Sequence, residues 1–216
     1  MASAAGITLT RKKDPLHTTT YGVGEMINDA MKKGCRNFII GSGGSATNDC
    51  GIGMLKALGF EFLDENGNDV GEGGQALGKI QIIHTQKNPL LDECHFQVAC
   101  DVTNPLCGEN GATYIYGPQK GVTDDFKEDL DHAMAHYAKI TAEYLGCDYA
   151  DANGADAAGG LGYALLSYLH ASLTSGIDLI LQAVELENEL KDADIAVTSI
   201  DAFFRLFVES QHSRKP

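Results

Sequence analysis

The sequence contains little positive charge. Its 16 lysine and arginine residues are outnumbered by 30 aspartate and glutamate residues, which gives a formal net charge of −14. A protein that binds a nucleic acid backbone needs clustered cationic side chains to displace the counterions of the phosphates. The deficit therefore predicts that nucleic acid is not a partner. An anionic substrate would have to be held by donors concentrated within its own site.

Long apolar runs and paired cysteine motifs are also absent from the sequence. No segment approaches the roughly 18 consecutive apolar residues that a membrane-spanning helix needs. The first part of the chain has no apolar core of a signal peptide. The six cysteines form no C-x-x-C pair, which is typical of free thiols in a reducing compartment. We therefore expect a cytoplasmic protein with no membrane partner.

The spacing of apolar residues predicts helices that alternate with short strands. Helices are predicted at residues 21–33, 52–58, 125–145 and 178–190, and in a segment that ends at Leu169. Strands are predicted at residues 38–40, 60–63, 79–84, 96–100 and 195–197, with a hairpin turn at Asn66 and Gly67. Interleaved helices and strands indicate an α/β fold with a mixed sheet.

The most informative segment runs from Gly41 to Asp49, directly after a predicted buried strand. Glycines leave backbone amides uncovered, and such amides at a strand-to-helix turn bind anions with help from the helix dipole. The candidate binding residues of this segment are Gly43, Gly44, Ser45, Thr47 and Asn48. Asp49 is expected to bind a substrate hydroxyl or a metal. The alternative is a plain glycine turn in which Ser45 or Asn48 caps the next helix.

Two glycine patterns in the chain resemble nucleotide motifs. Gly41-x-Gly43-x-x-Ala46 matches the dinucleotide fingerprint, which keeps an NAD-dependent oxidoreductase as an alternative function. Polar residues occupy the part of that turn where the fingerprint is usually apolar. Residues 73–79 match most of a phosphate-binding P-loop, but the next residue, Ile80, cannot supply the hydroxyl that holds Mg²⁺. The P-loop interpretation is therefore rejected.

Two further polar segments are candidate parts of a site. Asp101 and Asn104 follow a predicted buried strand, and open α/β sheets bind ligands at the carboxyl ends of their strands. An Asx turn at Asn104, before a proline, is the alternative. Residues 117–121 read as a polar loop whose Lys120 could meet an anion, or as a simple turn. His132 and His136 have the i, i+4 spacing of a metal pair, but the glutamate of a metalloprotease motif is missing, so we expect no dedicated metal site.

Four motifs together resemble one enzyme family. Residues 39–55 (IIGSGGSATNDCGIGML), 99–106 (ACDVTNPL), 116–121 (YGPQKG) and 156–162 (DAAGGLG) look like signatures of the glycerate kinases of the bacterial glycerate and glucarate pathways. The resemblance implies transfer of the γ-phosphoryl group of ATP to a hydroxyl of glycerate, with Mg²⁺. The implied product is 2-phosphoglycerate, with 3-phosphoglycerate as the alternative.

The resemblance also implies a two-domain enzyme in which an α/β domain is inserted into a flavodoxin-like domain. Residues 1–192 would correspond to the inserted domain, and residues 193–216 to a remnant strand and a divergent tail. The family motifs Asp-Ser-Phe-Lys and Asp-Gly-Gly-Glu-Gly are absent, and the family's Gly-Glu-Gly-Arg run is replaced after Thr198. These departures predict a chain truncated at both ends and inactive by itself. The alternative is a fragment that folds or binds glycerate without turning it over.

Within this resemblance, each candidate residue receives an expected task. Asp49 and Asp101 are the catalytic candidates, which orient or deprotonate the glycerate hydroxyl or hold Mg²⁺. Donors for carboxylate or phosphate oxygens are expected at Gly43, Gly44, Ser45, Thr47, Asn48, Asn104 and Lys120. One position departs from the family, because Cys50 stands where the motif usually has a glycine.

Overall fold

The computed structural model describes residues 6–10, 12–86, 88–191 and 195. Helices and strands alternate along these residues, which confirms the predicted α/β class. The chain divides into two compact units, residues 1–176 and residues 177–216. The boundary predicted between residues 192 and 193 stays a prediction. Within the described part of the chain, no helix is long and apolar enough to cross a membrane.

Three parallel strands form the sheet that carries the candidate site. They are β1 (Asn37–Gly41), β4 (His95–Ala99) and β5 (Ser172–Thr174), in the order β1-β4-β5. Gly41 lies opposite Ala99, and Ala99 lies opposite Thr174, so the three strands end at one edge. The strands β2 (Phe60–Leu63) and β3 (Ile82–Thr85) form a separate antiparallel pair. The predicted mixed sheet is therefore two sheets, one parallel and one antiparallel.

Among the described residues of the first unit, six α-helices accompany these strands. They are α1 (Tyr21–Lys32), α2 (Ile52–Ala57), α3 (Pro89–Asp92), α4 (Ala112–Lys120), α5 (Asp124–Leu145) and α6 (Ala157–Leu169), with a 3-10 helix at Gly74–Lys79. Then follow α7 (Gly176–Ala183), whose first residue is the last of this unit, and α8 (Leu186–Glu189). Helix α5 ends where Gly146 adopts φ +74°, a conformation that costs glycine little.

The core of the first unit is built around α5 and α6. Leu130, Met134 and Tyr137 recur at helical spacing and form the buried face of α5. The Tyr137 ring meets Phe62 of β2 at 5.9 Å and Tyr163 of α6 at 6.0 Å, both edge to face. Such contacts add about 0.5–1.5 kcal/mol beyond the burial of the rings. This core fixes the start of α6, where one wall of the site begins.

Several predicted elements differ in extent. The strand predicted at residues 79–84 begins only at Ile82, because the 3-10 helix runs through Lys79. The turn at Gly67 is confirmed by φ +80°, yet β2 takes its main partner strand from β3. The helix predicted at residues 178–190 is interrupted where Glu185 has φ +49°. The predicted strand at residues 195–197 lies outside the described residues, apart from Ile195.

Candidate active site

The glycine loop, residues 41–45, leaves β1 at the carboxyl edge of the parallel sheet. A Cβ atom placed on Gly43 or Gly44 would meet nothing within 4 Å, so open space faces this part of the backbone. The Ser42 hydroxyl donates to the Ala99 carbonyl at 3.0 Å and ties the loop to the end of β4. The loop thus presents bare backbone where ligands bind in open α/β sheets.

The helix dipole expected behind this loop is missing. Helix α2 begins only at Ile52 and has six residues, because residues 45–48 run as irregular chain after the turn. The predicted helix contribution to anion binding is therefore wrong. The same geometry removes the context of the dinucleotide fingerprint, since Gly41-x-Gly43-x-x-Ala46 does not open a helix.

A cavity of about 440 Å³ lies against the glycine loop. Its other walls come from the chain after β4, from the last residues of α4 and from the start of α6. Of the residues predicted from sequence, the wall contains Gly43, Gly44, Ser45, Asp101 and Lys120. Tyr116 and Gln119 of α4 are further members that the spacing argument did not single out. With Ile7 near the start of the chain, residues from five separate segments thus converge on one cavity.

Asn48, Asn104 and Thr47 lie outside this wall. Asn48 is completely buried, and its amide donates to the Thr113 hydroxyl at 3.0 Å. The Asn104 amide donates to the Asn110 carbonyl at 2.8 Å and so stabilises its own loop. Thr47 lines a neighbouring cavity of about 500 Å³ on the other side of the glycine loop. The direct ligand contacts predicted for the two asparagines do not match these positions.

Asp101 lies in the exposed chain just beyond β4, as its predicted place after a strand requires. One carboxylate oxygen accepts the Gly176 amide at 2.9 Å. The other oxygen, Oδ2, accepts no hydrogen bond from a described group. It lies next to Gly176, where a Cβ atom would be 3.2 Å away. Asp101 is therefore the carboxylate in the cavity wall that a ligand can reach without displacing a core contact.

Asp49 is completely buried, and its carboxylate accepts hydrogen bonds from three backbone amides and one hydroxyl. One oxygen accepts the Thr20 amide at 2.8 Å, the Thr20 hydroxyl at 2.9 Å and the Gly53 amide at 3.4 Å. The other accepts the Gly51 amide at 3.1 Å. Burial raises the pKa of Asp49, and these hydrogen bonds oppose the rise. The predicted contact with a substrate hydroxyl or a metal does not fit this arrangement, which joins α2 to the chain before α1.

Lys120 is the last residue of α4, so the predicted polar loop at residues 117–121 is in fact the end of a helix. The helix accommodates Pro118 in its last turn and ends at Gly121, which has φ +101°. The lysine is 2% exposed, and its ammonium donates to the Thr47 carbonyl at 2.8 Å. Burial lowers the pKa of Lys120 to about 8, against the attraction of Asp49 and Asp156. The cavity therefore holds a cation with little solvation.

Asp156 does not itself line the cavity but directly precedes the lining residues Ala157 and Ala158, and spacing alone did not identify it. It is 0% exposed, and neither of its carboxylate oxygens has a hydrogen-bond partner among the described residues. Burial raises the pKa of Asp156 to about 6, although its own backbone amide and the nearby Lys120 lower it. The residue stands in the Asp-Ala-Ala-Gly-Gly motif at residues 156–160, whose composition signals a turn but no chemistry.

The relatives of the chain decide its family. The sequence model of the Glycerate kinase family matches residues 1–202. Over 219 aligned residues the chain is 44% identical to a glycerate 2-kinase of Escherichia coli (strain K12), covering 100% of this chain and 57% of that protein. A glycerate kinase of Bacillus subtilis (strain 168) is also 44% identical, with 100% of this chain and 56% of that protein covered. The chain belongs to the glycerate kinase family.

The family's fold is shared as well. A solved structure described as glycerate kinase 2 from Salmonella typhimurium LT2 matches with a TM-score of 0.85 at 45% identity, covering 89% of this chain and 53% of that one. The resemblance predicted from the four motifs is thus confirmed. The chain spans little more than half the length of these relatives.

In this member of the glycerate kinase family, the turn at residues 158–160 contacts the segment around Cys50, and both have backbone in the left-handed region. The 158–160 turn combines Ala158 at φ +53° with Gly159 at +75° and Gly160 at +87°. A Cβ on Gly159 would collide with the Thr47 carbonyl, and the Gly159 carbonyl accepts the Cys50 amide at 3.1 Å. Cys50 itself has φ +47°, which is unfavourable for a residue with a side chain. The turn therefore fixes the second wall of the cavity against the segment that follows the glycine loop.

Proposed function

We propose that this chain supplies the glycerate-binding wall of an ATP-dependent glycerate kinase. The observation that carries the proposal is the convergence of bare glycine backbone, Lys120 and Asp101 on one cavity, in a chain of this family. Phosphoryl transfer depends mainly on positioning and on neutralising charge. A small anionic acceptor needs donors of this kind, and the strongly acidic surface offers few elsewhere.

The chain's own residues divide the work as follows. Backbone amides of Gly43 and Gly44 and the Ser45 hydroxyl bind carboxylate oxygens of the acceptor. The Lys120 ammonium neutralises negative charge in the cavity, where its low solvation strengthens the attraction. Asp49 fixes the chain that follows the glycine loop and does not itself meet the substrate. This replaces the catalytic task first expected for Asp49 by a positioning task.

The phosphoryl donor in this proposal is ATP, used together with Mg²⁺. Among the described residues no group of three or more His, Cys, Asp and Glu side chains could hold a metal ion. Magnesium in such sites is usually held by one or two carboxylates together with substrate phosphates and water. Asp101, with one oxygen free of described partners, is the side chain that fits this need. The ion would supply charge neutralisation for the transferring phosphoryl group.

The proposed product is 2-phosphoglycerate, and 3-phosphoglycerate is the alternative. The name of the Escherichia coli relative, a glycerate 2-kinase, favours the first for that protein. Phosphorus NMR of the reaction of a longer protein that carries this chain separates the two products. A signal of 3-phosphoglycerate alone would contradict the proposed regiochemistry.

For the 216-residue chain itself, we propose binding without turnover. Residues that hold the nucleotide are proposed to lie in the half of the relatives that this chain does not match. Without those residues the γ-phosphoryl group and the hydroxyl are not aligned, which can raise the activation barrier of the transfer by about 7–11 kcal/mol.

Two measurements test these proposals. A titration with D-glycerate should shift the amide signals of Gly43 and Gly44 and leave that of Gly67, in a distant exposed turn, in place. A coupled assay free of host kinase should detect no ATP-dependent phosphoglycerate. Glycine signals that do not respond would overturn the binding wall, and steady turnover would show that this chain holds the whole active site.

A further inference from the structure

Three aspartates are buried among the described residues, and one differs from the other two. Asp49 accepts hydrogen bonds from Thr20, Gly51 and Gly53, as given above. Asp131 accepts the Gly108 amide with both oxygens, at 3.1 and 3.0 Å. Only the Asp156 carboxylate has no described partner. A buried carboxylate without hydrogen bonds destabilises the fold. The stability of the fold therefore does not explain the presence of Asp156, and another role is needed.

Helix capping does not supply that reason. Asp156 directly precedes α6, but residues 158–160 are not helical, so no regular first turn follows whose amides its side chain could cap. Its side chain makes no capping hydrogen bond. The 158–160 turn is left-handed, and the amides of Gly159 and Gly160 donate instead to the backbone carbonyl of Asp156, at 3.0 and 3.2 Å. The local chain would close this turn with any side chain at position 156.

The surroundings of Asp156 link it to the cavity. Its charge interacts with Lys120, Tyr116 and Cys100. Lys120, Tyr116 and the next residue, Ala157, all line the cavity beside the glycine loop. One hydrogen bond is described for the Lys120 ammonium, which has three donors. Because the Asp156 side chain makes no hydrogen bond, turning it towards a ligand in the cavity breaks none.

We propose that Asp156 and Lys120 together hold a short hydroxycarboxylate, with Asp156 as the catalytic base for its acceptor hydroxyl group. This inference rests on the proposed function. Asp156 accepts the hydrogen bond of the hydroxyl, and Lys120 donates to another oxygen of the same ligand. In the transfer, the hydroxyl oxygen forms a bond to the γ-phosphorus atom and its proton passes to Asp156. The bond from that phosphorus to the bridging oxygen breaks, and the electron pair leaves on ADP.

The test observes the Asp156 carboxyl group directly. In the full chain labelled with ¹³C at aspartate carboxyl carbons, the Asp156 signal is assigned by its loss in Asp156→Asn. On titration with D-glycerate near neutral pH, this signal and the Gly43 and Gly44 amides should move along one binding curve. Asp156→Asn should weaken glycerate binding about tenfold or more, as expected for one lost hydrogen bond to a charged group. Asp151→Asn, in the exposed part of the same loop, should change it less than about twofold.

The outcomes separate this inference from the proposed function. Movement of the glycine amides without movement of the Asp156 signal, or unchanged binding by Asp156→Asn, would overturn the role of Asp156 and leave the glycine loop as the binding wall. No response of any signal would overturn both. The melting temperature of Asp156→Asn should equal or exceed that of the unchanged chain. A lower melting temperature together with lost binding would assign Asp156 a structural role and contradict the inference.

Discussion

The segments around Asp49 and Asp156 contact each other where the Cys50 amide donates to the Gly159 carbonyl, and each segment contains one buried aspartate. Both aspartates are 0% exposed, and both lie shortly before a helix. The Asp49 carboxylate accepts four hydrogen bonds, whereas the Asp156 carboxylate accepts none from the described residues. Burial raises the pKa of both groups, so pKa direction does not distinguish them. Hydrogen bonding does, and it indicates that one segment is built for stability and the other for a ligand.

The largest expected effect in this comparison comes from Asp49→Asn. The amide group of asparagine cannot accept from donors on the side of its nitrogen, which leaves buried amides unsatisfied. We expect a loss of about 3 kcal/mol or more in the free energy of unfolding, since each unsatisfied buried donor costs about 1–3 kcal/mol. Urea unfolding measures it. Asp148→Asn is the matched control, because this exposed side chain accepts only the Ala150 amide and should cost less than about 1 kcal/mol. A loss no larger than that of the control would remove the structural role of Asp49.

Gly159→Ala should have the next largest effect, because Gly159 joins the two segments. The added methyl group meets the Thr47 carbonyl and lies 2.8 Å from the Lys120 ammonium, at φ +75°. We expect a loss of about 2 kcal/mol or more, with weaker binding of glycerate. Gly34→Ala is the control for backbone strain alone, since Gly34 has φ +92° and open space around it. Gly34→Ala should lower the free energy of unfolding by about 1 kcal/mol. An equal loss in both variants would show that the contact between the two segments does not contribute to stability.

Asp156→Asn should change the pH dependence of stability. The folded pKa of Asp156, about 6, lies above the ordinary aspartate value of 3.8. The folded chain therefore binds this proton more tightly than the unfolded chain does. The stability that the bound proton provides below about pH 4 is lost as the pH rises to about 6. The advantage of the asparagine variant over the unchanged chain should grow across this interval, to on the order of 3 kcal/mol. Unfolding curves at several pH values measure it, and a constant difference would mean that Asp156 is solvated or paired.

Cys50→Gly should have the smallest effect. Glycine relieves the strain of φ +47°, worth about 1 kcal/mol. It also removes a completely buried thiol, and the loss of that packing opposes the gain. We expect the two to cancel within about 1 kcal/mol. Cys50→Ala keeps the strain, loses the sulfur and should be the less stable of the two. A more stable alanine variant would show that the left-handed backbone at this position is unstrained.

The sequence predicted the framework of the site better than its chemistry. Apolar spacing located α1, β1, β4 and α5, and placed Asp101 beyond a strand end, because these features follow from local periodicity. Motif resemblance identified the family. Neither could separate Asp49 from Asp156, since the hydrogen bonds of a buried carboxylate depend on residues far away in the chain, such as Thr20. The helical setting of Lys120 was missed because Pro118 and two glycines suggested a loop.

The most direct test of the comparison is the titration of the Asp156 carboxyl carbon in the ligand-free chain, with and without Lys120. We predict a pKa near 6 for Asp156 and a higher pKa for Asp156 in Lys120→Met, because the lysine's charge favours the ionised carboxylate. Lys127→Met, at an exposed ion pair with Asp124, should leave the pKa of Asp156 unchanged. An Asp156 pKa near the ordinary aspartate value that does not respond to loss of Lys120 would contradict the account. It would mean that Asp156 is hydrated or already paired, and that its carboxylate is not available to a ligand in the cavity beside the glycine loop.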